Sequence, residues 1–166
     1  MKRLLINAIL GLVAAAASNI GAVAQTTPNH APMAPCRESG PLPNQIRCFL
    51  DTAEAQGDVR PCEAAYDFAV RFACISKFAE NSGDATVCER IPIRNNRLLL
   101  MRDSCTSGVA AATRAPRLCE QVQLAVVRDA CFLTQVVEFD GAPELCERIS
   151  KAAVKETCFA PRSVAK

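Results

Sequence analysis

The chain has 166 residues, with 19 Lys and Arg against 17 Asp and Glu. Lys2 and Arg3 fall in an N-terminal segment of export character, so the rest carries 17 bases against 17 acids and is formally neutral. That balance argues against the concentrated basic face that nucleic-acid binding requires, and a complement of no Trp, one Tyr and seven Phe leaves little material for a deep aromatic core.

Residues 1–24 read as a signal peptide. Lys2 and Arg3 precede an apolar stretch from Leu4 to Ala17, and Ala22-Val23-Ala24 supplies small residues for cleavage before Gln25. Ser18-Asn19 and Gly21 interrupt the apolar run before it reaches the roughly 20 residues of a membrane-spanning helix. Cys36 lies well beyond this stretch and follows Pro35, a poor setting for lipid attachment. The expectation is a soluble exported protein, periplasmic or secreted, with no integral membrane segment after cleavage. Residues 25–35 hold Pro28, Pro32 and Pro35 without helical period and read as a flexible leader. His30, the sole histidine, falls there. Without a held histidine, Ser-His-Asp and Cys-His catalysis lack their base.

From Cys36 onward the chain is organised by cysteine. Ten cysteines make five successive pairs, Cys36/Cys48, Cys62/Cys74, Cys88/Cys105, Cys119/Cys131 and Cys146/Cys158, with intervals of 12, 12, 17, 12 and 12 residues. In an exported chain an even, dense cysteine set reads as a disulfide framework. Aligning the segments exposes a repeat: Cys62-Glu63, Cys88-Glu89-Arg90-Ile91, Cys119-Glu120-Gln121-Val122 and Cys146-Glu147-Arg148-Ile149. The second cysteines share a context too, with Arg71, Arg102, Arg128 and Lys155 three residues before Cys74, Cys105, Cys131 and Cys158.

Each repeat opens with helix-start chemistry: Asp58 and Asp84 before the second and third units, Pro116 and Pro143 before the fourth and fifth. In the fourth unit Leu124, Val127, Cys131, Phe132, Val136 and Phe139 recur at helical spacing. One continuous helix would hold cysteines 12 apart at about 18 Å, whereas a disulfide needs Cα atoms within about 7 Å. The chain must therefore turn back between bonded cysteines, at Pro92 and Asn95-Asn96 in the third unit and at Ser150 in the fifth, while the fourth has no evident breaker near Gln123. The first unit is degenerate, because Arg37 replaces the Glu and Pro41 and Pro43 oppose its first helix. Residues 161–166 form a tail.

The predicted fold is all-α: tandem short helical hairpins, about five cysteine-paired repeats spanning 36–160, stacked as a small α-solenoid or compact helical array. A second connectivity remains open, joining Cys48 to Cys62, Cys74 to Cys88, Cys105 to Cys119 and Cys131 to Cys146. Pairing within units is favoured because it uses all ten cysteines and needs no long-range closure. On a hairpin, Glu63 with Arg71, Glu89 with Arg102, Glu120 with Arg128 and Glu147 with Lys155 would form ion pairs flanking each bridge. The likeness is to cysteine-stapled helical-hairpin arrays in general, and architecture of this kind carries no function.

No Cys-x-x-Cys occurs, which removes the familiar redox, haem and zinc signatures. Thiols 14 residues apart could share a helix face and hold Cu(I) as a store, but an oxidising compartment favours disulfides. Asp103 and Asp129 are the most suggestive acids for carboxylate-only hydrolysis. They recur at equivalent repeat positions, as scaffold residues do. The basic run Arg90, Arg94, Arg97, Arg102, Arg114 and Arg117 is interspersed with Glu89, Asp103 and Glu120 and reads as a solvated face. Sequence reasoning therefore expects a non-enzymatic exported repeat module without cofactor or metal. Its partner would be a protein or envelope component, with thiolate copper storage and a secreted inhibitor or effector as alternatives.

Overall fold

A computed structural model describes residues 34–160. The signal segment 1–24, the leader up to residue 33 with His30, and the tail 161–166 lie outside the described residues. Within them the chain alternates short and long helices five times: α1 (Ala34–Arg37) and α2 (Leu42–Gln56), α3 (Arg60–Glu63) and α4 (Phe68–Ser82), the 3-10 helix η1 (Ala85–Arg90) and α5 (Asn96–Thr113), η2 (Pro116–Gln121) and α6 (Ala125–Val137), η3 (Pro143–Arg148) and α7 (Ala152–Phe159). No strand occurs among the described residues. We number these five helix pairs as units 1 to 5.

Local chemistry sets the boundaries. Asp84 accepts the Thr86 amide at 2.9 Å to open η1, and Asp58 accepts the Arg60 amide at 3.0 Å to open α3. Pro116 and Pro143 are the first residues of η2 and η3, where a missing N–H costs nothing. Gly57 and Gly83 end α2 and α4 at φ +61° and +69°, left-handed conformations that glycine adopts without steric cost. In unit 1 the prolines act differently from the sequence expectation. Pro41 precedes α2 in extended conformation and Pro43 lies in its first turn, so they start the long helix rather than disrupt the short one.

The short helix carries each first cysteine, and the long helix carries the second. Disulfides join Cys36 to Cys48, Cys62 to Cys74, Cys88 to Cys105, Cys119 to Cys131 and Cys146 to Cys158. Their Cα separations run from 5.3 to 5.8 Å. Pairing is thus within units. Each closed loop of this size removes about 3 kcal/mol of unfolded-chain entropy in the loop-closure account. The five extra residues of unit 3 lengthen the turn between η1 and α5, 91–95 against 122–124 in unit 4, and the start of α5, with Asn95 as the N-cap, accepting the Leu98 amide at 3.0 Å.

Successive long helices run parallel, because contacts join like ends. Near the C-terminal ends, Asn81 of α4 donates to Glu54 of α2 at 2.6 Å, and a methyl group on Gly108 of α5 would lie 2.5 Å from the Glu80 carboxylate of α4. One layer on, Gln135 of α6 donates to the Ala110 carbonyl of α5 at 2.9 Å. Each short helix brings the chain back to the start of the next long one. The array therefore has two edges, one where the long helices begin and one where they end.

The core is thin and sulfur-rich. Nine of the ten cysteines are buried, and Phe49 and Phe132 are the only aromatic rings among the buried residues described. One apolar cluster runs through units 1 to 3 around Phe49, Val70, Ile75, Ile91 and Val109, and a second joins Ala110, Phe132, Val136 and Ile149, with Leu118 packed against both. Aliphatic side chains and disulfides replace the aromatic mass that the composition lacks.

Candidate functional site

The repeated charged residues turn out to link neighbouring units. Arg90 Nε lies 2.5 Å from Glu63 and Arg148 Nη2 lies 2.9 Å from Glu120, so the Glu after one first cysteine pairs with the Arg two residues after the next. Glu63 holds the Arg90 guanidinium above its ordinary pKa through hydrogen bonding and charge. Between units 3 and 4 Gln121 occupies the Arg position, and Glu89 has no ion pair among the described residues.

Within units, the residues expected as bridge-flanking pairs meet only at the C-terminal end, where Lys155 Nζ lies 3.1 Å from Glu147 Oε2. Arg71 instead donates twice to the Ala65 carbonyl, at 3.0 and 2.7 Å. Arg102 donates to the carbonyls of Ile91 and Glu89, each at 2.9 Å. These guanidiniums close the last carbonyls of the short helices and their turns, a demand that sequence spacing does not reveal. Arg128 forms no ion pair with Glu120 among the described residues, and its charge acts on Asp129. In unit 5, Glu147 thus pairs within its own unit.

Asp103 and Asp129, at 2% and 3% exposure, are the buried acids of the described chain. Asp103 of α5 accepts the Leu124 amide at the start of α6 at 2.6 Å. Asp129 of α6 accepts the amides of Ser150 and Lys151, each at 2.9 Å, and the Ser150 hydroxyl at 2.8 Å, all at the start of α7. Each carboxylate therefore caps the long helix of the following unit. Burial pushes the Asp129 carboxyl up, but the hydrogen bonds from Ser150 and Lys151 outweigh it and hold the group below its ordinary value. The third unit receives no equivalent carboxylate acceptor, since Phe72 stands two residues before Cys74 in unit 2.

All ten sulfurs are bonded in pairs, leaving no free cysteine, and no group of three or more metal-ligating side chains occurs among the described residues. A disulfide sulfur is not a thiolate ligand.

Val137 and Phe159 are exposed at the ends of α6 and α7, but most of the large apolar side chains left exposed lie on the edge where the long helices begin. Leu42, Phe68, Leu100 and Val126 are exposed there, five or six residues before the second cysteine of units 1 to 4. The turns just before α4 and α5 add Tyr66 and Ile93. Tyr66 is 87% and Val126 72% exposed, far beyond a stray edge methyl. Shallow grooves open beside this row. One of about 290 Å³ lies between units 1 and 2 beside Tyr66, Asp67 and Arg37, and one of about 400 Å³ lies between α6 and α7, lined by Val126, Leu133, Lys151 and Val154. No protein family, no characterised protein and no solved structure matches the chain.

Proposed function

We propose that this protein is an exported, non-enzymatic binding module of the periplasm or the surrounding medium, and that its contact surface is the edge on which the long helices begin. The observation that carries this reading is the set of exposed apolar side chains at the start of the long helix in four successive units. Stacked helices make extended binding surfaces of this kind. The oxidised cysteines support export, because five disulfides persist in an oxidising compartment and not in a reducing one. No described helix is long and apolar enough to cross a membrane.

The chemistry elsewhere supports a scaffold role. The buried carboxylates hold the starts of α6 and α7, Arg71 and Arg102 close turns, and the cysteine sulfurs are spent on each other. The test compares the exported oxidised chain with the triple variant Phe68→Ser, Leu100→Ser and Val126→Ser. Partner capture by cross-linking in the native envelope is expected for the parent and lost in the variant, with helix content and the non-reduced mass of five disulfides unchanged. Turnover on hydrolase or redox substrate panels, or capture equal in both chains, overturns the reading.

A further inference from the structure

Resting on the binding-module reading, we infer that the partner of this edge is an anionic lipid surface, engaged chiefly through the insertion of unit 3. Unit 3 alone separates its cysteines by 17 residues instead of 12, and the extra length both extends the turn before the long helix, 91–95 against 122–124 in unit 4, and lengthens the start of α5 on the edge in question. In repeat arrays such insertions collect on the binding face. This one exposes Ile93 and Arg94, followed by Arg97 and Leu100 in the first turns of α5.

The arginines are the informative part. Their neighbours Arg90 and Arg102 are engaged by Glu63 and by backbone carbonyls. Arg94 and Arg97 are exposed and have no carboxylate partner among the described residues. A guanidinium beside exposed aliphatic groups can lay its stem along an apolar layer while its head forks onto a phosphate. Phe68 and Tyr66 on the adjoining unit, on either side of the exposed Asp67, add apolar surface to the edge, and a tyrosine ring suits the headgroup level because one end is apolar and the other polar.

Spacing separates a lipid surface from an acidic protein. A protein hot spot needs a central, packed cluster shut off from water. Here the apolar side chains come one or two per unit along an edge, beside grooves that are open and shallow. Side chains set apart in this way can each enter a bilayer interface independently, with bases adding attraction to anionic headgroups. Attachment of this kind is peripheral, in keeping with the lack of a membrane-crossing helix among the described residues.

The experiment is co-flotation of the oxidised full chain with mixed phosphatidylethanolamine and phosphatidylglycerol vesicles, with phosphatidylcholine vesicles as the neutral reference. Binding is expected to the anionic vesicles alone and to weaken as salt is raised. Arg94→Gln with Arg97→Gln should lower the partition coefficient by roughly thirty-fold, from about 1 kcal/mol per base at an anionic surface. Arg117→Gln, an exposed base at the opposite edge, should leave it unchanged. No flotation of the parent chain, or equal loss in the Arg94/Arg97 and Arg117 variants, overturns the lipid proposal. If the parent fails to float while the apolar triple variant still abolishes protein capture, the lipid partner is wrong and the binding module stands. If the triple variant alters neither flotation nor capture, both readings fall.

Discussion

Units 2 and 3 start their long helices with their own residues, whereas units 4 and 5 start theirs with a carboxylate borrowed from the unit before. Asp67 caps α4 through the Ala69 and Val70 amides at 2.8 and 3.0 Å, and Asn95 caps α5. Asp103 and Asp129 reach across to α6 and α7. The local caps are exposed and the borrowed ones buried. A cap carried on its own segment stabilises one helix. A cap carried on a neighbour stabilises an interface, so the C-terminal units gain their order from the preceding helix, as nearest-neighbour terms do in a linear array.

The sharpest way to break this comparison is to remove a bridge. Cys119→Ser with Cys131→Ser should cost about 3 kcal/mol by denaturant unfolding. Hydrogen exchange should then rise in units 4 and 5 together, because the unit 5 cap rides on α6. Cys146→Ser with Cys158→Ser should raise exchange in unit 5 alone. Equal spread of the two changes would deny the dependence of unit 5 on unit 4.

Replacing the caps comes next in size. Asp129→Ala strands two amides and a hydroxyl, and the loss should reach about 2 kcal/mol with faster exchange throughout α7. Asp67→Ala should cost about 1 kcal/mol, as exposed caps do, with exchange changing only in the first turn of α4. Similar losses at both positions would make the borrowed caps no different from the local ones.

Acid offers the same comparison without mutation. The folded Asp129 carboxyl titrates below its ordinary value of 3.8, so the stability it contributes is present above that pH and is lost as pH falls through the folded value. Unit 5 should therefore loosen on acidification. Asp129→Asn should flatten this part of the stability profile measured from about pH 6 down to about pH 2. A profile unchanged by the substitution would exclude Asp129 as its source.

The smallest effects lie in the interunit ion pairs. A double-mutant cycle on Glu120 and Arg148, both about half exposed, should give a coupling of no more than about 1 kcal/mol. The same cycle on Glu120 and Arg128 should give none. Gln121→Arg would supply the missing partner for Glu89 and should add a few tenths, about 0.3 kcal/mol, to the unit 3 to unit 4 interface.

The cysteine spacing, the helix-start residues and the repeated Cys-Glu motif determined by themselves that the chain folds as paired helices, one pair per cysteine pair. These are short-range signals: a cap or a turn acts within a few residues, and a bridge across 12 residues demands a turn wherever it falls. The turn at Asn95 and the loop at 91–95 were legible for that reason. Pro41 and Pro43 were legible as breakers but not as the start of α2, since one ring ends one helix and opens the next. The equivalence of Asp103 and Asp129 marked them as scaffold, yet their acceptance of amides 21 and 22 residues onward did not follow from spacing.

Only the tertiary structure decided where the charges meet. Glu63 and Glu120 are as close in sequence to the base of their own hairpin as the motif suggests, but parallel stacking brings the next unit's arginine nearer. Backbone carbonyls at the ends of the short helices then claim Arg71 and Arg102. The exposed apolar edge was settled the same way, because Leu42, Phe68, Leu100 and Val126 become a row only when the long helices are laid side by side with their starts aligned. Sequence period fixes which residues share a helix face, whereas neighbour packing fixes which of those faces water can reach.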